Sequence, residues 1–227
     1  GGAGADILTG GSGDDIFTVA ATTEADGDTI NGGAGTDTIN LSTGTHTLND
    51  DAKLSNIETI VANSSGSTLI LTNQAEGFTL TGGAGTDNFT GGSGADVITG
   101  GAGNDTFAGG TGNDTFNIDS GTDTISDLGT GSDIFVVSSG ATLNATPITS
   151  LTATFASRND GTANLTAATG GGVIDLSNVA SGAGSYTITV GAGTDTVTGS
   201  SGNDVFVVAA TTQGNADTIN GGSGTDE

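Results

Sequence analysis

The sequence predicts an all-β fold, a parallel β-roll or β-helix solenoid in which short strands alternate with glycine-rich turns. Three observations support this prediction. A nine-residue motif recurs along the chain, a large apolar side chain occupies one fixed position of that motif, and no amphipathic helix longer than two turns is evident. Sequences with a short fixed period are typical of solenoids, because each repeat can bury its apolar side chains only against its neighbours.

The nonapeptide is clearest in residues 82–117, which read GGAGTDNFT, GGSGADVIT, GGAGNDTFA and GGTGNDTFN without interruption. Further copies lie in residues 1–18, 32–40, 118–136 and 190–226. When the copies are aligned on the aspartate at position six, position eight is large and apolar throughout. The residues at position eight are Leu8, Phe17, Ile30, Ile39, Phe89, Ile98, Phe107, Phe116, Ile125, Phe135, Val197, Phe206 and Ile219. This independent regularity fixes the register of the repeat.

Each nonapeptide predicts one turn and one strand. The segment G-G-x-G-x-D contains three glycines, which permit positive φ, and it is therefore expected to form a turn. The residues that follow form a short strand whose central side chain points inward. Two nonapeptides complete one coil of 18 residues, and adjacent coils pair as parallel strands about 4.8 Å apart. The expected edges are Asp87, Asp105 and Asp123 on one side and Asp96, Asp114 and Asp133 on the other, with one extra residue before Asp133.

The chain is strongly acidic, with a formal charge of -24 from 26 acidic residues against only Lys53 and Arg158. Two basic residues cannot form the patch that nucleic acids or anionic membrane surfaces require. Cysteine is absent, which excludes disulfides and thiolate chemistry, and no run of 18 apolar residues could insert into a membrane. Because the sequence has no hydrolase triad, HExxH motif or phosphate-binding loop, we predict that it is not an enzyme.

Stacked aspartates require a neutralising cation. At the spacing of neighbouring strands, two carboxylates repel by about 3 kcal/mol if the effective dielectric constant is about 20. Ca²⁺ binds about six to eight oxygens and accepts backbone carbonyls as readily as carboxylates, whereas Mg²⁺ prefers retained water. Zn²⁺ would need His or Cys, and His46 is the single candidate. The sequence therefore predicts several Ca²⁺ ions, each held between two successive turns of one edge.

The pattern GGxGxDxUx resembles the repeats-in-toxin (RTX) family of calcium-binding repeats, over residues 1–40, 82–136 and 190–226. The resemblance implies a parallel β-roll with calcium between same-edge turns, export by type I secretion, and folding after export. The aspartate ligands that it implies are Asp6, Asp15, Asp37, Asp87, Asp96, Asp105, Asp114, Asp123, Asp133, Asp195, Asp204 and Asp226. The carbonyl ligands that it implies lie around Gly83, Gly85, Gly92, Gly94, Gly101 and Gly103. The turns ending in Asp28, Asp123, Asp133 and Asp217 depart from the pattern, because they lack the paired glycines.

A longer repeat lies above the nonapeptide. Residues 13–37 recur as residues 202–226, at an offset of 189 residues, so we expect the chain to be part of a longer array. We predict five segments, of which three are calcium-binding blocks and two are metal-poor coils of the same solenoid. The blocks are residues 1–40, 82–136 and 190–227, the last repeating residues 1–38, and the metal-poor coils are residues 41–81 and 137–189.

Outside the nonapeptides, few side chains point to a specific role. Residues 54–62 fit a short helix or a strand, and we favour a strand. Tyr186 corresponds to Phe78 in an echoed segment and is expected in the core, and the aromatic side chains in general are expected to be buried. The residues expected to be ordinary surface residues are His46, Glu58, Glu76 and the solvated turn at Asp50 and Asp51.

The sequence favours a calcium-dependent structural protein of the bacterial cell exterior, such as a segment of a surface layer, filament or adhesin stalk. Its expected partners are calcium, neighbouring repeats or further copies of the protein, and cell-surface polysaccharide. The alternative is a binding module for polysaccharide or for ice. Ice binding requires a flat ladder of Thr or Thr-x-Asn, and the seventh-position row is interrupted. The row contains Thr106, Thr115 and Thr124 but also Asn88, Val97 and Ile134.

Overall fold

The computed structural model describes residues 5–19, 27–182, 184–208 and 216–227. These described residues form 24 β-strands and no helix, and hence no helix that could cross a membrane. They group into two compact units, Gly1–Gly112 and Asn113–Glu227. Strands pair in parallel within each unit, as in a β-solenoid, which confirms the predicted fold class.

The first unit contains strands β1 to β12. They are β1 (Ile7–Gly11), β2 (Ile16–Val19), β3 (Thr29–Gly33), β4 (Thr38–Leu41), β5 (Gly44–Thr47), β6 (Leu54–Ser55), β7 (Thr59–Val61), β8 (Ser67–Ile70), β9 (Thr79–Thr81), β10 (Asn88–Thr90), β11 (Val97–Thr99) and β12 (Thr106–Ala108). Within this unit the strands pair in the orders β1-β3-β6, β5-β8-β10-β12 and β2-β4-β7-β9-β11. The turns of the repeat connect a strand of one sheet to a strand of the next.

The second unit contains strands β13 to β24. They are β13 (Thr115–Ile118), β14 (Thr122–Ile125), β15 (Ile134–Val137), β16 (Thr142–Ile148), β17 (Ser150–Thr152), β18 (Arg158–Asn159), β19 (Thr162–Ala167), β20 (Val173–Asp175), β21 (Ser185–Val190), β22 (Thr196–Thr198), β23 (Val205–Val208) and β24 (Thr218–Asn220). Within this unit the strands pair as β13-β15-β18, β14-β16-β19-β21-β23 and β17-β20-β22-β24.

The length of a coil follows the sequence of its turns. In the uninterrupted block, Asn88 pairs with Thr106 and Thr79 with Val97, which is the expected offset of 18 residues. The first coil is longer, since Ile7 pairs with Thr29. Its 22-residue offset arises because a 13-residue step between aspartates replaces one nine-residue step. Coils outside the nonapeptides also exceed 18 residues. Their strands still pair in register, and the extra residues lie in loops of different length.

The eighth-position side chains form the core, as the motif predicts. Nine of these residues are buried, and the rings of Phe89 and Phe107 lie 6.2 Å apart in adjacent coils. The exceptions lie in strands that pair on one side only within the described residues, where Leu8, Phe17 and Phe206 are half-buried and Ile219 is exposed. Burial of a position-eight side chain therefore depends on a neighbouring coil on each side.

Two expectations about side chains outside the repeat are wrong. His46 was expected at the surface, but it is buried in β5, where it lies opposite Leu69 and its Nε2 is 2.8 Å from the carbonyl oxygen of Ser42. Alternation along the strand directs it inward, and the Ser42 carbonyl satisfies one ring nitrogen. Phe155 contradicts the expectation that the aromatic residues are buried, because it is 78% exposed in the turn after β17.

Two other expectations are confirmed. Residues 54–62 contain strands β6 and β7 rather than a helix. Tyr186 and Phe78 are both buried, which agrees with their corresponding places in the echoed segments.

Candidate metal sites

The sixth-position aspartates form ladders of hydrogen bonds along the solenoid. Oδ1 of one aspartate accepts a hydrogen bond from the backbone N–H of the aspartate one coil earlier, as between Asp37 and Asp15 at 2.7 Å. The same bond joins Asp28 to Asp6, Asp105 to Asp87, Asp133 to Asp114, Asp217 to Asp195, and Asp226 to Asp204. Successive turns therefore place one carboxylate directly beside the next.

These carboxylates are buried, which the sequence did not indicate. Asp37, Asp87 and Asp195 have no exposed surface, and most of the other sixth-position aspartates within the described coils are nearly as enclosed. Burying a charged carboxylate is unfavourable unless a hydrogen bond or an opposite charge compensates. One oxygen of each ladder aspartate is compensated by the backbone, so the second oxygen determines what else the turn requires.

The second oxygen falls into two classes. In Asp87 it accepts a hydrogen bond from Gly83 N–H at 3.0 Å, and in Asp204 from Ser200 N–H at 2.7 Å, so the turn folds around its own carboxylate. In Asp15, Asp37 and Asp195 the Oδ2 atom is buried and has no hydrogen-bond partner among the described residues. An unsatisfied buried carboxylate oxygen is costly and is the kind of atom that a metal ion would stabilise.

The first glycine of the motif leaves room beside this oxygen. A Cβ added to Gly82 would lie 2.6 Å from Oδ2 of Asp87 and would overlap the carbonyl oxygen of Gly100 in the next coil. The same arrangement recurs at Gly199, where a Cβ would lie 2.8 Å from Oδ2 of Asp204. A carboxylate oxygen and a carbonyl oxygen of the next coil thus face the same small space, which any side chain would fill.

The glycines at positions two and four of the motif stack directly on their counterparts one coil earlier. Gly101 and Gly103 have φ values of +89° and +139°, and a Cβ on either would overlap the carbonyl of Gly83 or Gly85 one coil earlier. Gly83 O also accepts a hydrogen bond from Ala102 N–H at 2.8 Å. Because a carbonyl has two lone pairs, this bond leaves one available to a metal ion. The glycines are required here by backbone conformation and by close contact between coils.

Not every predicted turn faces another nonapeptide. Cβ atoms added to Gly92 and Gly94 would meet Gln74 and Glu76, which belong to a coil without the motif. Towards that coil, Oδ1 of Asp96 accepts a hydrogen bond from the backbone N–H of Phe78, whereas between stacked nonapeptide turns the donor is the backbone N–H of an aspartate.

The turn that ends in Asp123 differs in another way. Asp123 lies within β14, and the residue opposite it in β16 is the apolar Leu143 rather than another aspartate.

Burial also changes the proton affinity of the ladder. Loss of solvent raises the pKa of Asp87, Asp96, Asp105 and Asp204, and backbone hydrogen bonds offset only part of that effect. The neighbouring carboxylate adds to the rise in the pKa of Asp105 and Asp204. A bound divalent cation would act in the opposite direction, because it favours the ionised form.

The donor set fits Ca²⁺. The described residues contain no cluster of three or more His, Cys, Asp or Glu side chains that could hold a metal ion. Each turn instead contributes one carboxylate and several backbone carbonyls, so the donors are oxygen atoms that are mostly uncharged. Ca²⁺ accepts such mixed oxygen shells, whereas Zn²⁺ favours nitrogen and sulfur ligands. Calcium held here would neutralise the carboxylates and join adjacent coils.

Fold and turns together define a parallel β-solenoid with calcium-binding repeats. The sequence model of the RTX calcium-binding nonapeptide repeat (4 copies) matches residues 1–21, 22–45, 81–116, 180–208 and 211–227, which is more than half of the chain. The chain belongs to this family, and its repeats bind calcium. The repeat and the fold are typical of structural proteins without catalytic activity. No curated protein and no solved structure matches the chain.

One ladder contact was missed by the sequence reasoning. Glu58 was expected to be an ordinary surface residue, and it is exposed, but its Oε2 also accepts a hydrogen bond of 2.7 Å from the backbone N–H of Asp37. This is the position that a sixth-position aspartate holds in the repeat. Its spacing from Asp37 could have indicated the role only if the length of the intervening coil had been known.

Proposed function

We propose that this chain is a calcium-dependent structural segment of the bacterial cell exterior, within a surface layer, a filament or an adhesin stalk, and that it folds and becomes rigid on binding Ca²⁺ after secretion. The observation that carries the proposal is the ladder of buried aspartates. Such a ladder opposes folding when it is ionised and metal-free, and it favours folding when a cation joins adjacent turns.

The proposed ions lie between stacked turns of the nonapeptide. Both turns carry the full motif in residues 10–15 with 32–37 and in residues 82–87 with 100–105, whereas in residues 199–204 with 221–226 Ser200 replaces one second-position glycine. In each pair two aspartates, one coil apart, supply carboxylate oxygens and the turn glycines supply carbonyls. Other aspartates of the motif extend the same ladders. Asp96 stacks on one side against a coil without the motif, and the turn of Asp195 lacks the first glycine.

Coupling to calcium explains why folding would follow export. Extracellular calcium modules bind with dissociation constants of about 0.1 to 1 mM, so they are loaded outside the cell and remain largely empty in the cytosol. A chain whose core needs the ion stays unfolded before export, which suits passage through a type I secretion channel. The metal-poor coils, residues 41–81 and 137–189, would fold on the calcium-bound blocks.

Circular dichroism tests the metal-dependent fold. In EDTA we expect a largely disordered spectrum, and in millimolar Ca²⁺ a β-rich one, whereas Mg²⁺ at the same concentration should have little effect. An unchanged spectrum would contradict the proposal. Electron microscopy of the full-length protein with calcium separates the structural roles, because sheets or filaments indicate a scaffold and isolated rods indicate a stalk.

A second candidate function is supported by one surface of the second unit. Outward-facing residues of β14, β16, β19 and β21 form two parallel rows in register. The rows are Thr122, Thr142, Thr162 and Ser185, and Thr124, Asn144, Asn164 and Thr187. They contain no charged residue, and Asn164 Nδ2 donates to Asn144 Oδ1 at 2.8 Å. Thr124 of the interrupted seventh-position row is one end of the second row, and from there the ladder continues without interruption into the metal-poor coils of residues 137–189. A regular ladder of this kind is what binding to ice or to a crystalline polysaccharide would need.

Partition into slowly growing ice tests this candidate. With calcium present we expect the wild-type chain to enter the ice, and Thr162→Tyr, which interrupts one row, to be excluded from it. Exclusion of both, together with binding to crystalline cellulose or chitin, would identify polysaccharide as the ligand instead. If the wild-type chain binds neither surface, the second candidate is wrong and only the structural role remains.

A further inference from the structure

The aspartate ladder of the first unit continues for one coil beyond the nonapeptides. Thr38 N–H donates to the carbonyl of Asp15 at 2.9 Å and Thr59 N–H to that of Asp37 at 3.1 Å. One coil further, Thr79 N–H donates to the carbonyl of Glu58 at 2.8 Å. Glu58 therefore occupies the sixth position of its coil, although its turn has no nonapeptide and lies between the segments that match the repeat family.

Glu58 also makes the contact that is characteristic of that position. Its carboxylate holds the Asp37 backbone N–H at 2.7 Å, the same distance at which Asp37 holds the Asp15 N–H. The extra methylene of glutamate reaches the position from a turn that is built differently. Asp37 thus stands between two carboxylates, one in each neighbouring coil.

Asn56 replaces the first glycine of the missing motif. It has a φ of +53°, a left-handed conformation that is uncommon for residues other than glycine. Its carbonyl oxygen lies against Gly32, where a Cβ would be, just as the carbonyl of Gly100 lies against Gly82. The turn before Glu58 therefore presents a carboxylate and a carbonyl in the arrangement that the repeat uses.

An unsatisfied buried oxygen faces this arrangement. Asp37 has no exposed surface, and its Oδ2 has no hydrogen-bond partner among the described residues. A Cβ on Gly32 would overlap both this atom and the Asn56 carbonyl oxygen, so the two oxygens face the same small space. Neither basic side chain of the protein neutralises them, because Lys53 pairs with Asp50 and Arg158 with Asp160.

We propose that Asp37, Glu58 and the Asn56 carbonyl form a Ca²⁺ site outside the nonapeptide blocks. Asp37 contributes Oδ2, and Glu58 contributes the oxygen that is not bonded to the Asp37 N–H. The site lies within residues 41–81 on one side, so it extends calcium binding into coils that the sequence marks as metal-poor. It rests on the proposed calcium-dependent fold, since its partner turn is a nonapeptide turn.

Calcium stoichiometry of the whole chain tests the site. We expect Glu58→Gln, which keeps an oxygen acceptor for the Asp37 N–H but loses the charge, to bind one Ca²⁺ fewer than wild type by equilibrium dialysis. Glu76→Gln is the matched control, because it removes the same charge from an exposed glutamate one coil further on, and it should keep wild-type stoichiometry. Unchanged binding by Glu58→Gln overturns the inference, whereas a wild-type chain that binds no calcium overturns the proposed function itself.

A measurement on wild type covers the case in which Glu58→Gln does not fold. The chain has only four glutamates, so carboxylate-¹³C labelling of glutamate gives few signals. The Glu58 signal, assigned by its absence from Glu58→Asp, should shift as Ca²⁺ is added. The inference is wrong if the Glu58 signal stays fixed while β-structure forms.

Discussion

Asp37→Asn separates the two roles that the ladder gives to one carboxylate. Asp37 has a carboxylate neighbour in each adjacent coil, Asp15 and Glu58. At a spacing of about 4.8 Å and an effective dielectric constant of about 20, a neighbouring carboxylate destabilises the ionised, metal-free fold by up to about 3 kcal/mol, and Glu58 contributes less because water screens its exposed side chain. Asparagine removes both repulsions and keeps the oxygen that holds the Asp15 N–H. Its amide replaces an oxygen that has no hydrogen-bond partner among the described residues, so no bond is lost.

The substitution should therefore act in opposite directions with and without calcium. In EDTA we expect Asp37→Asn to retain more β-structure than wild type. With calcium it should bind fewer ions, and the midpoint of folding should rise at least tenfold, which corresponds to about 1.4 kcal/mol. Circular dichroism during Ca²⁺ titration measures both effects, and Asp119→Asn, which removes an exposed charge, is the control. A metal-free Asp37→Asn that is less ordered than wild type would refute the repulsion argument.

Three further predictions concern the turns, the protons and the core. Gly82→Ala should strongly weaken calcium-induced folding, because its Cβ would lie 2.6 Å from Oδ2 of Asp87, whereas Gly13→Ala, whose Cβ would have no neighbour within 4 Å, should behave as wild type. Lowering the pH should order the metal-free chain, because the buried aspartates have a raised pKa and so bind protons more tightly in the folded state. It should also raise the Ca²⁺ concentration at the midpoint of folding, because protons compete with calcium for the same carboxylates. A calcium midpoint that does not change between neutral and acid pH would contradict this. Phe107→Ala should cost about 3–5 kcal/mol in urea unfolding with calcium present, since the ring is fully buried against Phe89, and a loss below about 1 kcal/mol would show that the core is not closely packed there.

The nonapeptides could be predicted from sequence because turn, strand and core position all repeat together. Even the 22-residue first coil follows from the irregular step between Asp15 and Asp28. The metal-poor coils have no such landmark, so the residues that lie beside one another in them were not predictable. The opposition of His46 to Leu69, and of Asn144 to Asn164, depends on loop lengths that the sequence does not mark.

The candidate sites show the same division. The sixth-position aspartates were predictable, but their burial was not, because it results from the stacking of one coil against the next. Glu58 was missed for a related reason. A ladder position is defined by the neighbouring strand, and a glutamate in a turn of different sequence can occupy it without any local signal.

The charge balance of the chain supports the proposed dependence on an external cation. Both basic side chains are engaged with nearby carboxylates outside the ladders, Lys53 with Asp50 at 3.7 Å and Arg158 with Asp160 at 2.6 Å. No side chain of the protein is then left to neutralise a buried aspartate of the motif. Protons can do so only in acid, so at neutral pH the compensating charge must come from solution. The composition, with 26 acidic and 2 basic residues, is therefore what the proposed calcium-dependent fold requires.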